Sequence, residues 1–161
     1  MEAGLIGMIA ALVLAAAVLL QVTVVNRLAL PAHGTPDLVL LVVIGIALLR
    51  GRVAGAVIGF SAGLLVDLAP PTAHVIGQYA FVFALVGYVA GRGVRGVVVT
   101  VIVCVLATPL LAAAVGGLIG DPRVSLASLA VVVPVTVAYT LVFAPLVMWL
   151  SLRLREMGER P

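Results

Sequence analysis

Charge is what this sequence has least of. Only 9% of its 161 residues are Asp, Glu, Lys or Arg, and lysine is missing altogether. A soluble domain carries ~25% charged residues, so this chain cannot clothe itself for water. With 65% hydrophobic residues and a mean hydropathy of +1.38, it reads as an integral membrane protein. At ~20 residues per span, its length allows five to seven helices and no additional soluble domain. The lone cysteine, Cys104, sits inside an apolar run, which excludes an intramolecular disulfide. Also missing are a phosphate loop ending in Gly-Lys-Ser/Thr, a nucleophile–base pair and any cofactor motif. The expectation is a protein that is not an enzyme and holds no cofactor or metal. The nine arginines without lysine reflect codon bias, and the net charge of +3 reports membrane orientation rather than nucleic-acid binding.

The apolar runs divide the chain into six predicted spans within a single transmembrane domain, 1–161. They cover about 3–25, 37–49, 52–68, 74–90, 96–119 and 125–152. The first is too long, and has Glu2 where a basic region belongs, for a cleaved signal peptide. Gln21 and Asn26 near its far end read as helix-end residues bonded to a neighbour or to interfacial water. Thr35-Pro36-Asp37 reads as a helix start, with Thr35 as N-cap, Pro at the first position and an acid facing the dipole. The span it opens is short for a ~30 Å hydrocarbon core, so it must be embedded in partners or the bilayer must thin there. Pro70-Pro71 stops the third helix, and Pro109, Pro134 and Pro145 are expected to bend the fifth and sixth. The charged tail from 153 is expected to fray.

Six spans put both termini on one side, together with the turns at 50–52 and 91–96. That side holds Arg50, Arg52, Arg92, Arg95, Arg153, Arg155 and Arg160, whereas the other holds only Arg27 and Arg123. Positive charge stays inside, so both termini are expected in the cytoplasm. The basic face also suits lipid headgroups or a cytoplasmic partner.

The most organised stretch is RGRVAGAVIGFSAGLLVD, residues 50–67. Gly51, Gly55, Gly59 and Gly63 recur every fourth position, and the next step lands on Asp67. Four residues advance a helix by 400°, so the stripe drifts only ~40° per step. In water each glycine would cost a helix ~1 kcal/mol. In lipid, small residues at this spacing admit a neighbouring backbone. Whether that neighbour is another helix of the chain or a partner's is open at this point.

His33, Asp37, Asp67 and His74 gather on the outward side. Paired carboxylates there raise an intramembrane aspartyl protease, but neither GTPDL nor GLLVDLA has the asparagine that lipoprotein signal peptidases place beside theirs. The spacing fits no compact metal motif. Asp67 has three readings: a helix-end carboxylate solvated by water or bonded to backbone donors at the 70–74 turn, a contact to another helix or protein at the outer face, or a step in a proton or cation pathway. No second buried charge in the spans offers it a relay partner.

Pro36 opens a short apolar helix, Gly55, Gly59-Phe60, Gly63-Leu64 and Asp67 follow, and the series continues into Gly77 and Tyr79 after the loop and Gly87-Tyr88 in the next helix. The pattern GF-x-x-GLL-x-D, short loop, G-x-Y resembles the rod shape-determining protein MreD family over about residues 36–88. The last two spans match it in hydrophobicity alone, and the 69–76 loop, APPTAHVI, is more proline-rich than the family pattern. The resemblance implies a non-enzymatic scaffold of the cell-wall elongation machinery in the bacterial inner membrane. It implies binding to MreC, a protein with one membrane helix, and through it to RodA and a class B penicillin-binding protein, with MreB on the cytoplasmic face. Its site residues would be Gly51, Gly55, Gly59, Phe60, Gly63, Asp67, Gly77 and Tyr79, with a cytoplasmic basic face of Arg50, Arg52, Arg92, Arg95, Arg153 and Arg155. The implied fold is also similar to the S components of energy-coupling factor transporters. The alternative function is therefore a vitamin-type binding component, with His33, Asp37, Asp67 and His74 lining an outward cavity.

Overall fold

The computed structural model describes residues 2–28, 34–69, 76–121 and 125–158. Among these the chain forms six α-helices: α1 (Glu2–Thr23), α2 (Leu38–Arg50), α3 (Arg52–Leu68), α4 (Gln78–Arg92), α5 (Val97–Ile119) and α6 (Leu126–Gly158). A single 3₁₀ turn, Val25–Arg27, follows α1. Length separates the six into two classes. Three stretches, Gly7–Arg27, Val97–Ile119 and Leu129–Trp149, are long and apolar enough to cross a membrane. By contrast α2, α3 and α4 have 13, 17 and 15 residues. At 1.5 Å per residue they extend only ~20–26 Å, short of a ~30 Å hydrocarbon core.

The short helices form the packed centre. Val39, Val43, Ile44 and Ala47 of α2 have no exposed surface, nor do Ala62 of α3 and Val82 and Ala90 of α4. The tightest pairing is α3 against α4. α2 lies beneath both and also touches α1, α5 and α6. The long helices turn apolar side chains outward, including Leu12, Leu19, Val98, Leu110, Val142 and Leu146. Such surface is compatible with acyl chains and not with water.

Three boundaries differ from the sequence reading. α2 starts one residue later than expected, because Asp37 rather than Thr35 is its N-cap: the Asp37 carboxylate accepts from Leu40 N–H at 2.9 Å. α4 begins at Gln78 and not at 74, since Gly77 adopts φ +99 in the left-handed region and ends the preceding turn. Gly51 forms the tight turn between α2 and α3, at φ +84, ahead of α3 itself. α6 runs on to Gly158; LRLREM consists of good helix formers, and the expected fraying at 153 does not occur at the level of the backbone. Pro109, Pro134 and Pro145 are accommodated within helices.

Candidate functional site

The glycines of α3 face α4, and the register is regular. A β-carbon at Gly55 would strike the Gly87 carbonyl, one at Gly59 the Phe83 carbonyl, and one at Gly63 the Tyr79 carbonyl. Seen from α4, a β-carbon at Gly87 would meet Gly55, and one at Gly91 would meet the backbone of Gly51. Each step of four up α3 thus pairs with a step of four down α4, as an antiparallel pair requires. The two main chains lie flush, close enough for Cα–H to approach carbonyl oxygen across the seam. Ala47 of α2 closes the groove from below, 2.7 Å from the β-position of Gly55.

Gly51 therefore differs from its three companions. Nothing lies within 4 Å of its own β-position. It contributes a left-handed turn and a bare backbone for Gly91, not a face of the stripe. Phe60 points away from the seam and is 51% exposed. Tyr79 sets its ring edge-on to Phe83, centroids 5.6 Å apart at 87°.

One more step of four along α3 brings Asp67 to the first turn of α4. Its carboxylate, 1% exposed, accepts from the backbone N–H groups of Gly77 (2.9 Å), Tyr79 (3.1 Å) and Ala80 (3.0 Å). Gly77 has no side chain with which to cap its own helix. A carboxylate from the neighbouring helix does so instead, satisfying donors that a helix start leaves orphaned and complementing the dipole. The 70–74 turn, where the helix-end reading of Asp67 put its donors, lies outside the described residues; the donors seen here are Gly77, Tyr79 and Ala80 at the start of α4.

The start of α2 is capped by the same logic, with partners drawn from α1 and α6. Gln21 Oε1 accepts from Leu38 N–H at 2.9 Å, and Gln21 Nε2 donates to the Pro36 carbonyl and to Asn26 Oδ1, both at 3.0 Å. Asp37 N–H donates to Thr140 Oγ1 at 3.0 Å, and Thr140 in turn donates to the Thr136 carbonyl. Gly34 fits against Val135 and Thr136, where a β-carbon would clash. Thr140 lies fourteen residues into α6, and Gln78 Nε2 bonds the Ala112 carbonyl, seven residues before α5 ends. The broken ends of α2 and α4 thus lie below the ends of the long helices. Non-helical backbone at membrane depth survives only when protein satisfies it, and here Gln21, Asp37, Asp67 and Thr140 provide that satisfaction. Replacing Gln21 by Leu should strand Leu38 N–H and the Pro36 carbonyl together. A loss of about 1–3 kcal/mol, read as a lower unfolding midpoint in detergent, is expected; Thr140→Val should cost less, because only Asp37 N–H loses its acceptor.

Between these ends lies a cavity of about 60 Å³, lined by Asp37, Tyr79, Thr108, Thr136 and Thr140 with apolar Leu40, Val105, Pro109 and Val137. It has room for a few water molecules. A vitamin-sized ligand needs ~300 Å³ or more. His33 and His74, offered above as lining residues, lie outside the described residues. Asp67 does not line this cavity, since both its oxygens are engaged by α4.

At the opposite end, Arg50, Arg52, Arg92 and Arg95 are exposed around the α2–α3 and α4–α5 turns. Arg153 and Arg155 fall in the last turns of α6, and Arg160 lies outside the described residues. Thr140, Gln78, Gly34 and Gly91 had no place in the sequence reading. Polar residues stranded in apolar runs were the available signal for the first two. The continuation of the spacing from Gly87 was the signal for Gly91.

No curated protein and no solved structure matches the chain. The family model for rod shape-determining protein MreD matches residues 3–157, which extends well beyond the 36–88 stretch and takes in the last two helices. On that near-complete match the chain belongs to the MreD family, whose members take part in determining rod shape.

Proposed function

We propose that this chain is a non-enzymatic scaffold of the cell-wall elongation machinery. It would sit in the bacterial inner membrane as a six-span protein with both termini in the cytoplasm. Its direct partner would be the single membrane helix of an MreC-type protein, with RodA and a class B penicillin-binding protein reached through it and MreB on the cytoplasmic side. The family match carries this reading. The packing adds that α4 already fills the glycine seam, so a partner helix would meet outer faces such as that bearing Val53, Val57 and Phe60.

Affinity purification from native membranes tests the assignment. An MreC-type protein and wall synthases should be recovered; transporter ATPases in their place would overturn it. The topology has its own test. Cys104 is buried, 1% exposed, so the native chain gives a silent background for thiol labelling. Arg95→Cys should react with an impermeant maleimide only in inside-out vesicles, and labelling of intact spheroplasts would reverse the orientation.

A further inference from the structure

Two arginine turns at one end of the bundle are brought together by the seam. α2 ends on Arg50 and α3 starts on Arg52, with Gly51 between. α4 ends on Arg92, and Arg95 lies in the turn before α5. Because Gly91 lacks a β-carbon, the backbone beside Arg92 rests directly on Gly51 and the amide nitrogen of Arg52. Arg50, Arg52, Arg92 and Arg95, all exposed, therefore lie on two adjoining turns. Neither turn contains an acidic residue to neutralise them.

Two further features favour an anion here. The first turns of α3 and α5 have no acidic residue, and their N-caps, Gly51 and Gly96, have no side chain to cap with. Their leading N–H groups point toward this end as hydrogen-bond donors; the poles themselves offset, since α2 and α4 end here with their carbonyls. Val53, Val94 and Val98 are 69%, 48% and 55% exposed beside the arginines. Guanidinium groups above an apolar rim suit a molecule with anionic oxygens at the top and acyl chains below. Arginine forks pair with phosphate oxygens in a bidentate manner. Four of them, set in two pairs, exceed what one phosphate can engage.

We infer that the Arg50–Arg52 and Arg92–Arg95 turns form a binding site for a membrane phospholipid that carries two phosphate groups. The site is built by the glycine seam, whose Gly51–Gly91 contact sets the two turns side by side. It does not depend on the scaffold reading: it needs the purified chain alone, whereas the scaffold reading stands or falls on partner recovery.

The test uses the full chain in a neutral detergent, titrated with cardiolipin, with phosphatidylglycerol at matched charge, with phosphatidylcholine and with inorganic pyrophosphate. Thermal shift and native mass spectrometry are the readouts. Cardiolipin should raise the unfolding midpoint and remain bound as one copy, ahead of phosphatidylglycerol, with no effect of phosphatidylcholine. The Arg52→Gln/Arg92→Gln pair should weaken cardiolipin about 30-fold, taking about fivefold per arginine near a headgroup. Arg27→Gln, at the other end, should leave it unchanged. Equal stabilisation by charge-matched phosphatidylglycerol would mean diffuse attraction and overturn the site. So would undiminished binding by the double variant with its midpoint in phosphatidylcholine intact. Stabilisation by pyrophosphate equal to that by cardiolipin would overturn the lipid as occupant.

Discussion

Asp67→Ala is expected to be among the most damaging single substitutions in this chain. The carboxylate is buried and holds three backbone N–H groups at the start of α4. Alanine removes all three acceptor contacts and strands one buried donor, Ala80 N–H, and two part-buried ones, Gly77 and Tyr79 N–H. Each stranded donor costs about 1–3 kcal/mol, so a loss of about 3 kcal/mol or more is expected even after the first turn of α4 relaxes. Asp67→Asn should fall between alanine and the native residue. Its carbonyl oxygen still accepts, but its NH₂ group must face an N–H where the second carboxylate oxygen was. Chemical unfolding in detergent gives the energies, and hydrogen exchange at 77–80 should accelerate first. This ordering separates a cap from a proton carrier, which would lose flux in liposomes with Asn while keeping its stability. Wild-type stability in the alanine variant would refute the capping role.

The chain reads unevenly, and the reasons are physical. The stripe Gly55, Gly59, Gly63, Asp67 was legible because spacing along one helix is a local property. Its partner was not: nothing local says that Gly87 and Gly91 continue the register on α4 rather than on another protein. The shortness of α2 was visible as a 13-residue apolar run. What makes that shortness tolerable was not, since Asp37 is held by Thr140, 103 residues away, and Gln21 reaches across from α1. Gly51 shows the limit of periodicity. It satisfies the spacing of four and yet sits in a turn, because spacing carries no information about the sign of φ. Gly77 misled in the same way, and α4 starts later than its apolar run.

Gly59→Leu should separate α3 from α4. The β-position of Gly59 lies against the Phe83 carbonyl and the Ala84 amide nitrogen, and these are helix backbone with no rotamer to swing aside. Even Gly59→Ala must push the helices apart, at about 1–3 kcal/mol for overpacking, despite the better helix propensity of alanine. Leucine adds three more carbons to a space that cannot hold one, so accumulation of folded protein should fall sharply. Gly7→Ala is the matched control: nothing lies within 4 Å of its β-position, and the change should be neutral or slightly stabilising. The consequence reaches further than the contact itself. Asp67 lies eight residues, or ~12 Å, along the same helix, and its carboxylate meets α4 only while the seam is closed. Opening the seam at Gly59 should therefore lift the cap as well. Contacting or coupled residues depart from additivity, so Gly59→Ala combined with Asp67→Ala should cost measurably less than the sum of the two. Strict additivity would show that seam and cap are independent. Unchanged stability of Gly59→Ala would show that the two backbones do not meet there, while normal recovery of the MreC-type partner by a destabilised but folded variant would confine the seam to holding this chain together.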